Sequence, residues 1–583
     1  MLDVTVLPAG WTDLPPLSEG GGSWSPTLSP DGRHAAYVSD RGGRPQVWVQ
    51  PVGSELAFLV ETGPSPVASV QWSTGGGWLA CEVTPGGAPR HEVWLVRPDG
   101  SSLHQVAGFG ADSAENMRWL PGRSLLAVTE NLRRALVIEP ITGARTEVAS
   151  GDLISLLDVS PDGSLALLRH GPRGSRFLAV RDRTGTDSFV THGEDGVFGP
   201  DGHTVFARSE AGEFPVLTRD LDVIAASESA DVEAFALTTG GGTAAVLWNR
   251  RGGTSELTIH DLVTGGKLPV PLPGLVVGSP AWSADGSTLT FAASGPGQPW
   301  GTWTFDGSGL HPVSAAPAAP GAVRPVLHTF ASHDGLEISG WLYRPGPGPC
   351  PTVLWFHGGP ESQERPGHDP LFQALVSQGI AVFAPNIRGS SGFGRSFVNA
   401  DNVGLRYAAV DDVASCVKYL VGAGIAAAGR IGCMGRSYGG YLTLAALVRF
   451  PDLFAVGVDV CGMSNFFTFY QHTEPWIAAA AVSKYGDPVA DRALLEDLSP
   501  LTRIDRLRAP LLVVHGENDS NVPVIEAAQV VEALRARGVP HRYLLFPDEG
   551  HELLHRSSRA TFLRETVDWI SAHLLPAGSR RSG

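Results

Sequence analysis

Between residues 20 and 315 one short phrase recurs seven times, and this recurrence constrains the fold more than any other feature of the chain. The fullest copies are LSPDGRHAAYVSD (28–40), VSPDGSLALLRHG (159–171) and WSADGSTLTFAAS (282–294). Weaker copies begin at Trp72, Trp119, Phe198 and Leu237. Each reads as a strand end, a turn, then a strand of alternating apolar and polar residues. The Asp-Gly or Gly-Gly pair supplies the positive φ that a tight hairpin needs. Marking each copy at the residue after its strand gives Ser29, Ser73, Leu120, Ser160, Gly199, Thr238 and Ser283, spaced 44, 47, 40, 39, 39 and 45 apart. A period near 42 with several short strands per unit predicts a β-propeller with one four-stranded blade per copy, hence seven blades.

The run AAPAAPGAVRP (315–325) reads as a linker, and the grammar changes after it. Short apolar runs at 352–358, 379–386, 430–435 and 510–516 read as buried parallel strands. Helical patterns at 410–421, 441–449 and 524–537 lie between them. This alternation predicts a doubly wound, mostly parallel α/β domain. The expected organisation is an N-terminal extension (1–20), a propeller (21–318) that gates or caps the site, and an α/β-hydrolase catalytic domain (319–583).

Composition removes several function classes. With 43 Lys+Arg against 59 Asp+Glu the formal charge is −16, which disfavours nucleic acid and anionic membranes as partners. At 43% hydrophobic and 17% charged residues the chain is not disordered. Five cysteines in no C-x-x-C spacing form neither a disulfide framework nor a thiolate zinc site and fit a reducing cytoplasm. The start lacks a signal-peptide pattern, and no run approaches 18 apolar residues, so a cytoplasmic protein is expected.

Gly435-Arg436-Ser437-Tyr438-Gly439-Gly440 follows a predicted strand and precedes a predicted helix, the context that G-x-S-x-G requires for a nucleophilic serine. A serine hydroxyl needs a histidine to take its proton and a carboxylate to orient that histidine. In α/β-hydrolases these follow in the order acid, then histidine. Asp519 lies just after PLLVVHG, and His551 just after HRYLLF in PDEGHE, both at carboxyl ends of predicted strands. Glu517, Asp548 and Glu549 compete for the acid role, and His541 and His555 for the base. Two backbone donors must meet the carbonyl oxygen. The N–H of Tyr438 is one by position, and Gly359 of the HGGP loop (357–360) supplies the other.

HGGP, NIRGSSGFGRSF (386–397), GRSYGGY, HGENDSNVP and DEGH together resemble the prolyl oligopeptidase family of serine peptidases, on its acylaminoacyl-peptidase-like and dipeptidyl-peptidase-like side. The resemblance implies a propeller capping the site, substrates limited to peptides or small acyl compounds, and no metal or organic cofactor. The implied activity is that of an acylaminoacyl peptidase, aminopeptidase or oligopeptidase. Three positions depart from the family pattern. Arg436 stands where a small residue is common. Ala481 replaces the tryptophan of the Trp-x-x-x-Tyr-Gly proline pocket ahead of Tyr485, so strict post-proline cleavage is not implied. Asn521 occupies the position of a carbonyl-binding arginine, as in the dipeptidyl-peptidase relatives; an amide donates there without charge. Asn521, Val522, Phe466, Trp476 and Tyr485 are the expected substrate-contacting residues. No pair of propeller glutamates that would hold a free amino terminus is assignable from sequence.

Two rival readings remain. A carboxylesterase or other acyl hydrolase would use the same triad. His551-Glu552-Leu553-Leu554-His555 also spells H-E-x-x-H, a zinc-peptidase signature if it lies well inside a helix. The position of His551 after PDEG argues that it opens the helix instead. A homo-oligomer is left open by the sequence.

Overall fold

The computed structural model describes residues 21–88, 90–172 and 174–576; the N-terminal extension expected at 1–20 lies outside them. All seven phrases form hairpin turns between adjacent antiparallel strands. In each, the marker N–H donates to the carbonyl five residues on, at 2.7–2.9 Å. One glycine per turn is left-handed, from Gly32 at φ +68° to Gly76 at +75°. In the fullest copies the serine hydroxyl also closes the loop. Ser29, Ser160 and Ser283 Oγ donate to Asp31, Asp162 and Asp285 at 2.6–2.7 Å, and each accepts a backbone N–H from the returning strand.

These hairpins belong to five four-stranded antiparallel sheets (23–60, 67–107, 114–150, 230–269 and 276–314) and one seven-stranded sheet (154–225). Successive sheets pack face to face, and the first packs on the last, producing a propeller. Among the described residues every propeller sheet takes its strands consecutively from the chain, with no strand exchanged at the seam. Side chains close the seam instead: Ser23 Oγ donates to Ser314 O at 2.5 Å and Gln50 Nε2 to Val313 O at 2.6 Å.

From Val326 onward the chain builds one eight-stranded sheet. Its spatial order is Val326–Ala331, Glu337–Tyr343, Ala381–Asn386, Cys350–Phe356, Ala426–Arg436, Val456–Val460, Leu511–Gly516 and His541–Phe546. The pairings among the first three strands are antiparallel and the other five parallel. Its strands are apolar on both faces because both are covered. Leu511 and Val513 face the core formed with Arg406–Gly422, Tyr438–Arg449 and Ile525–Arg537, whereas Leu512 and Val514 face Pro370–Ser377 and Arg556–Leu574. The three helices expected from sequence all form, each starting at a somewhat different residue, and two of them end at the expected Arg449 and Arg537.

The two halves meet through specific contacts. Trp341 Nε1 donates to Gly252 O at 2.6 Å, and Arg365 pairs with Glu233 at 2.6 Å. The propeller loop Pro85–Gly87 lies directly on the hydrolase loops at 518 and 549–550. Asn518 Nδ2 donates to Gly86 O at 3.2 Å, and a Cβ on Gly550 would fall 1.8 Å from Gly87 O. Only glycine fits at that contact.

Candidate active site

Ser437 sits where the central strand Ala426–Arg436 turns into the helix Tyr438–Arg449, with φ +58° and ψ −118°. That conformation costs a non-glycine residue energy and is retained because the surroundings over-determine it. Its N–H donates to Val460 O at 2.8 Å. The flanking glycines permit the close crossing: a Cβ on Gly439 would lie 1.9 Å from Phe356 O, and one on Gly435 2.4 Å from Gly439 O. The HGGP loop runs beside the serine, since a Cβ on Gly358 would be 3.4 Å from Ser437 Cβ. Tyr438 opens the helix, so its N–H is among those without an intrahelical acceptor.

Asp519 follows the strand Leu511–Gly516 and is buried. Its Oδ1 accepts the N–H groups of Asn521 and Val522, both at 2.9 Å, and its Oδ2 meets His551 Nδ1 at 2.7 Å. Burial would raise its pKa, but the adjacent imidazole and these hydrogen bonds hold it below the usual carboxylate range. Burial likewise opposes the charged form of His551. The Asp519 carboxylate, and then Cys461, outweigh it and lift the imidazole well above its ordinary value. The histidine is fixed at Nδ1, leaving Nε2 as the nitrogen for chemistry.

The competing residues have other partners. Glu549 is buried and accepts the N–H groups of Leu554 and His555 at 2.9 Å, with His555 Nδ1 3.1 Å away. Glu517 and Asp548 are exposed. The H-E-x-x-H segment is not helical, because the last helix starts at Arg556 with His555 as its cap. Its two histidines therefore do not share a helix face. Arg436, the departure from the family pattern, contacts the Glu552 carboxylate and the His551 carbonyl, so it clamps the histidine loop.

Three of the five expected substrate contacts are buried. Phe466 is 1% exposed and packs on Tyr441 and Tyr485 with ring centroids 5.3 and 5.1 Å apart. Tyr485 lies under Arg406, and Val522 is 2% exposed in the core. Apolar size drew these side chains into the hydrolase interior, and Val522 acts on the site through its backbone. Trp476 and Asn521 are half-buried.

Other neighbours carried no pattern in the sequence. Arg406 is fully buried, pairs with Asp401 and donates to Tyr438 Oη at 2.6 Å. Lys484 reaches Glu361, two residues beyond Gly359, at 2.6 Å. Glu361 in turn lines a cavity of about 300 Å³ between the two halves, together with Glu210, Glu213, Asp231 and Arg208. Burial pushes the Asp231 carboxyl up to about 6 against the pull of Arg208. A charge directly after HGGP was the one available signal for Glu361. Among the described residues, one group brings three metal-ligating atoms within 4.8 Å of one another: Cys461, Asp519 and His551.

Residues 368–576 match the model of the Prolyl oligopeptidase family. Over 228 residues the chain is 38% identical to Dipeptidyl aminopeptidase BIII of Pseudoxanthomonas mexicana, covering 38% of this chain and 33% of that protein. It is 28% identical over 260 residues to the Acylamino-acid-releasing enzyme of Sus scrofa, covering 43% and 36%. The matched stretches thus span about a third of these relatives. A crystal structure of puromycin hydrolase superposes with a TM-score of 0.83 at 20% identity, over 95% of this chain and 94% of the other. The uncomplexed Pyrococcus horikoshii acylaminoacyl peptidase superposes with 0.68 at 17%, over 95% and 89%. These structures share the fold of a propeller joined to a hydrolase domain. Residues 368–576 form a domain of the prolyl oligopeptidase family.

Proposed function

We propose that the chain is a serine peptidase for short peptides, with Ser437 as nucleophile, His551 as proton shuttle and Asp519 fixing the imidazole tautomer. The 2.7 Å Asp519–His551 bond, held beside a strained serine turn, carries this reading. Ser437 Oγ attacks the scissile carbonyl as His551 Nε2 takes its proton. The N–H groups of Tyr438 and Gly359 receive the oxyanion, and His551 protonates the leaving amine. Water then repeats the cycle on the acyl-enzyme. Asn521 would donate to a substrate carbonyl and Trp476 would flank it.

The propeller is read as seven blades divided from the hydrolase half near residue 319. The twelve-residue strand Asp187–Phe198 pairs with Phe177–Arg181 through 187–192 and with Val205–Ser209 through 193–198, so the seven-stranded sheet counts as two blades sharing a strand. The five cysteines, all free and four of them buried, are consistent with a reducing compartment.

The cavity between the halves favours a peptide with a free amino terminus over an acylated one. Glu210, Glu213, Asp231 and Glu361 converge there, and Asp231 Oδ1 is buried without a hydrogen-bond partner. Two residues of chain, at most about 7 Å, separate Glu361 from Gly359. The test is turnover of matched free-amine, acetylated and ester substrates, with a fluorophosphonate adduct mapped by mass spectrometry. The expected result is an adduct on Ser437 and a preference for free amines that Glu213→Gln lowers. Ester-only turnover would assign an esterase, and faster cleavage of acetylated peptides would overturn the amine reading.

A further inference from the structure

Cys461, Asp519 and His551 follow three successive parallel strands, Val456–Val460, Leu511–Gly516 and His541–Phe546, so their loops are neighbours at one edge of the sheet. The proposed peptide hydrolysis uses the carboxylate and the imidazole, whereas the thiol makes and breaks no bond in it. Cys461 is nevertheless held firmly in place. It is 3% exposed, its φ is +42°, and its N–H donates to Val514 O at 2.8 Å. Its Sγ lies 3.9 Å from the His551 carbonyl oxygen, and one donor atom from each of the three residues falls within 4.8 Å of the others.

We propose that these three side chains form an inhibitory site for a thiophilic divalent cation such as Zn²⁺, which switches the peptidase off by occupying its histidine. This rests on the catalytic reading above. One sulfur, one imidazole nitrogen and one carboxylate oxygen are a zinc donor set that leaves a fourth position for water. Zinc bonds of about 2.0–2.3 Å at tetrahedral angles put donors about 3.3–3.8 Å apart, so the loops need to move by only about 1 Å. Mg²⁺ and Ca²⁺ prefer all-oxygen sites and do not suit the thiolate. On binding, the thiol proton and the second proton of an imidazolium leave to solvent; a metal on Nδ1, the nitrogen that meets Asp519, leaves the ring's remaining proton on Nε2, which then cannot take the serine's. The site shares only His551 with the H-E-x-x-H pattern, since His555 turns to Glu549. A zinc peptidase loses activity to a chelator; here a chelator restores it.

The full chain, stripped of metal, is titrated with Co²⁺ while thiolate-to-cobalt charge-transfer absorption is recorded, and with Zn²⁺ by calorimetry. Fluorophosphonate labelling of Ser437 is followed in parallel. Expected are one ion per chain, loss of labelling with Zn²⁺, recovery with EDTA, and no effect of Mg²⁺ or Ca²⁺. Cys461→Ser is scored on the metal alone: it binds Zn²⁺ about 10- to 100-fold more weakly and lacks the charge-transfer band. Cys461→Ala repeats the result, with both variants checked for an unchanged melting temperature. Ser437→Ala binds metal as wild type does, so the metal readout stands even if the catalytic reading fails. Unchanged Zn²⁺ affinity in either folded cysteine variant, or zinc binding with no cobalt–thiolate band in the wild type, overturns the site.

Discussion

The two halves of this molecule spend their side chains differently. In the propeller, a stabilising contact such as Ser283 Oγ with Asp285 joins residues two apart, and the same contact recurs at Ser29 and Ser160. In the hydrolase half, the Asp519–His551 bond spans 32 residues, and the two must meet a serine 82 and 114 residues earlier in the sequence. Repetition makes each propeller turn individually expendable, whereas the unique constellation has no spare. Damage to the first should therefore appear as lost stability and damage to the second as lost rate.

Ser437→Ala is the most severe test. It should lower turnover by about 10⁵- to 10⁶-fold with an unchanged melting temperature, measured by peptide cleavage and calorimetry. Asp519→Asn should cost about 10⁴-fold. It also has a pH signature. The imidazole is held well above its usual pKa and must be neutral to accept the serine proton, so labelling should rise with pH through a value above the ordinary histidine range. Removing the carboxylate charge should move that limb to lower pH. An unmoved limb would mean that Asp519 does not set the histidine.

Gly550→Ala breaks the division between the halves. Its methyl would collide with the Gly87 carbonyl of the propeller, displacing the segment that carries His551. A displacement of about 1 Å should lower the fluorophosphonate labelling rate about 100-fold. A wild-type rate would mean that the propeller loop does not support the site. The smallest effect belongs to Ser283→Ala, which removes one repeated turn bond. About 1 kcal/mol, or about 2 °C of melting temperature, is expected with turnover unchanged.

Legibility from sequence follows the same contrast. The seven turns were readable because their chemistry is local: a marker, an Asp-Gly or Gly-Gly pair and an alternating strand are contiguous. The contact of Asp519 with His551 and the strained turn at Ser437 were legible because all three residues lie just after apolar strands, and a parallel sheet gathers such positions at one end. The burial of Phe466, Tyr485 and Val522 was not legible, because a large apolar residue near a site looks the same in a one-dimensional string as one filling the core beneath it. Arg436 gripping Glu552, Arg406 beneath Tyr438, and the carboxylates converging from residues 210, 213, 231 and 361 had no sequence signal of comparable strength. Arg406 meets Tyr438 across 32 residues and Arg436 meets Glu552 across 116, inside the hydrolase half, while the carboxylates converge only where the two halves meet.

The contact of Gly86 and Gly87 with residues 518 and 550 bears on how such a protein can be rebuilt. Much of the propeller surface is free to vary, because its hairpins need only keep their own turn. The loop Pro85–Gly87 is not free in that way: it is the floor on which the segments bearing Asp519 and His551 rest. A propeller transplanted onto this hydrolase half must carry a side-chain-free corner at the same place. For the same reason, a binder lodged at that corner would silence the serine from the opposite domain without entering its cleft.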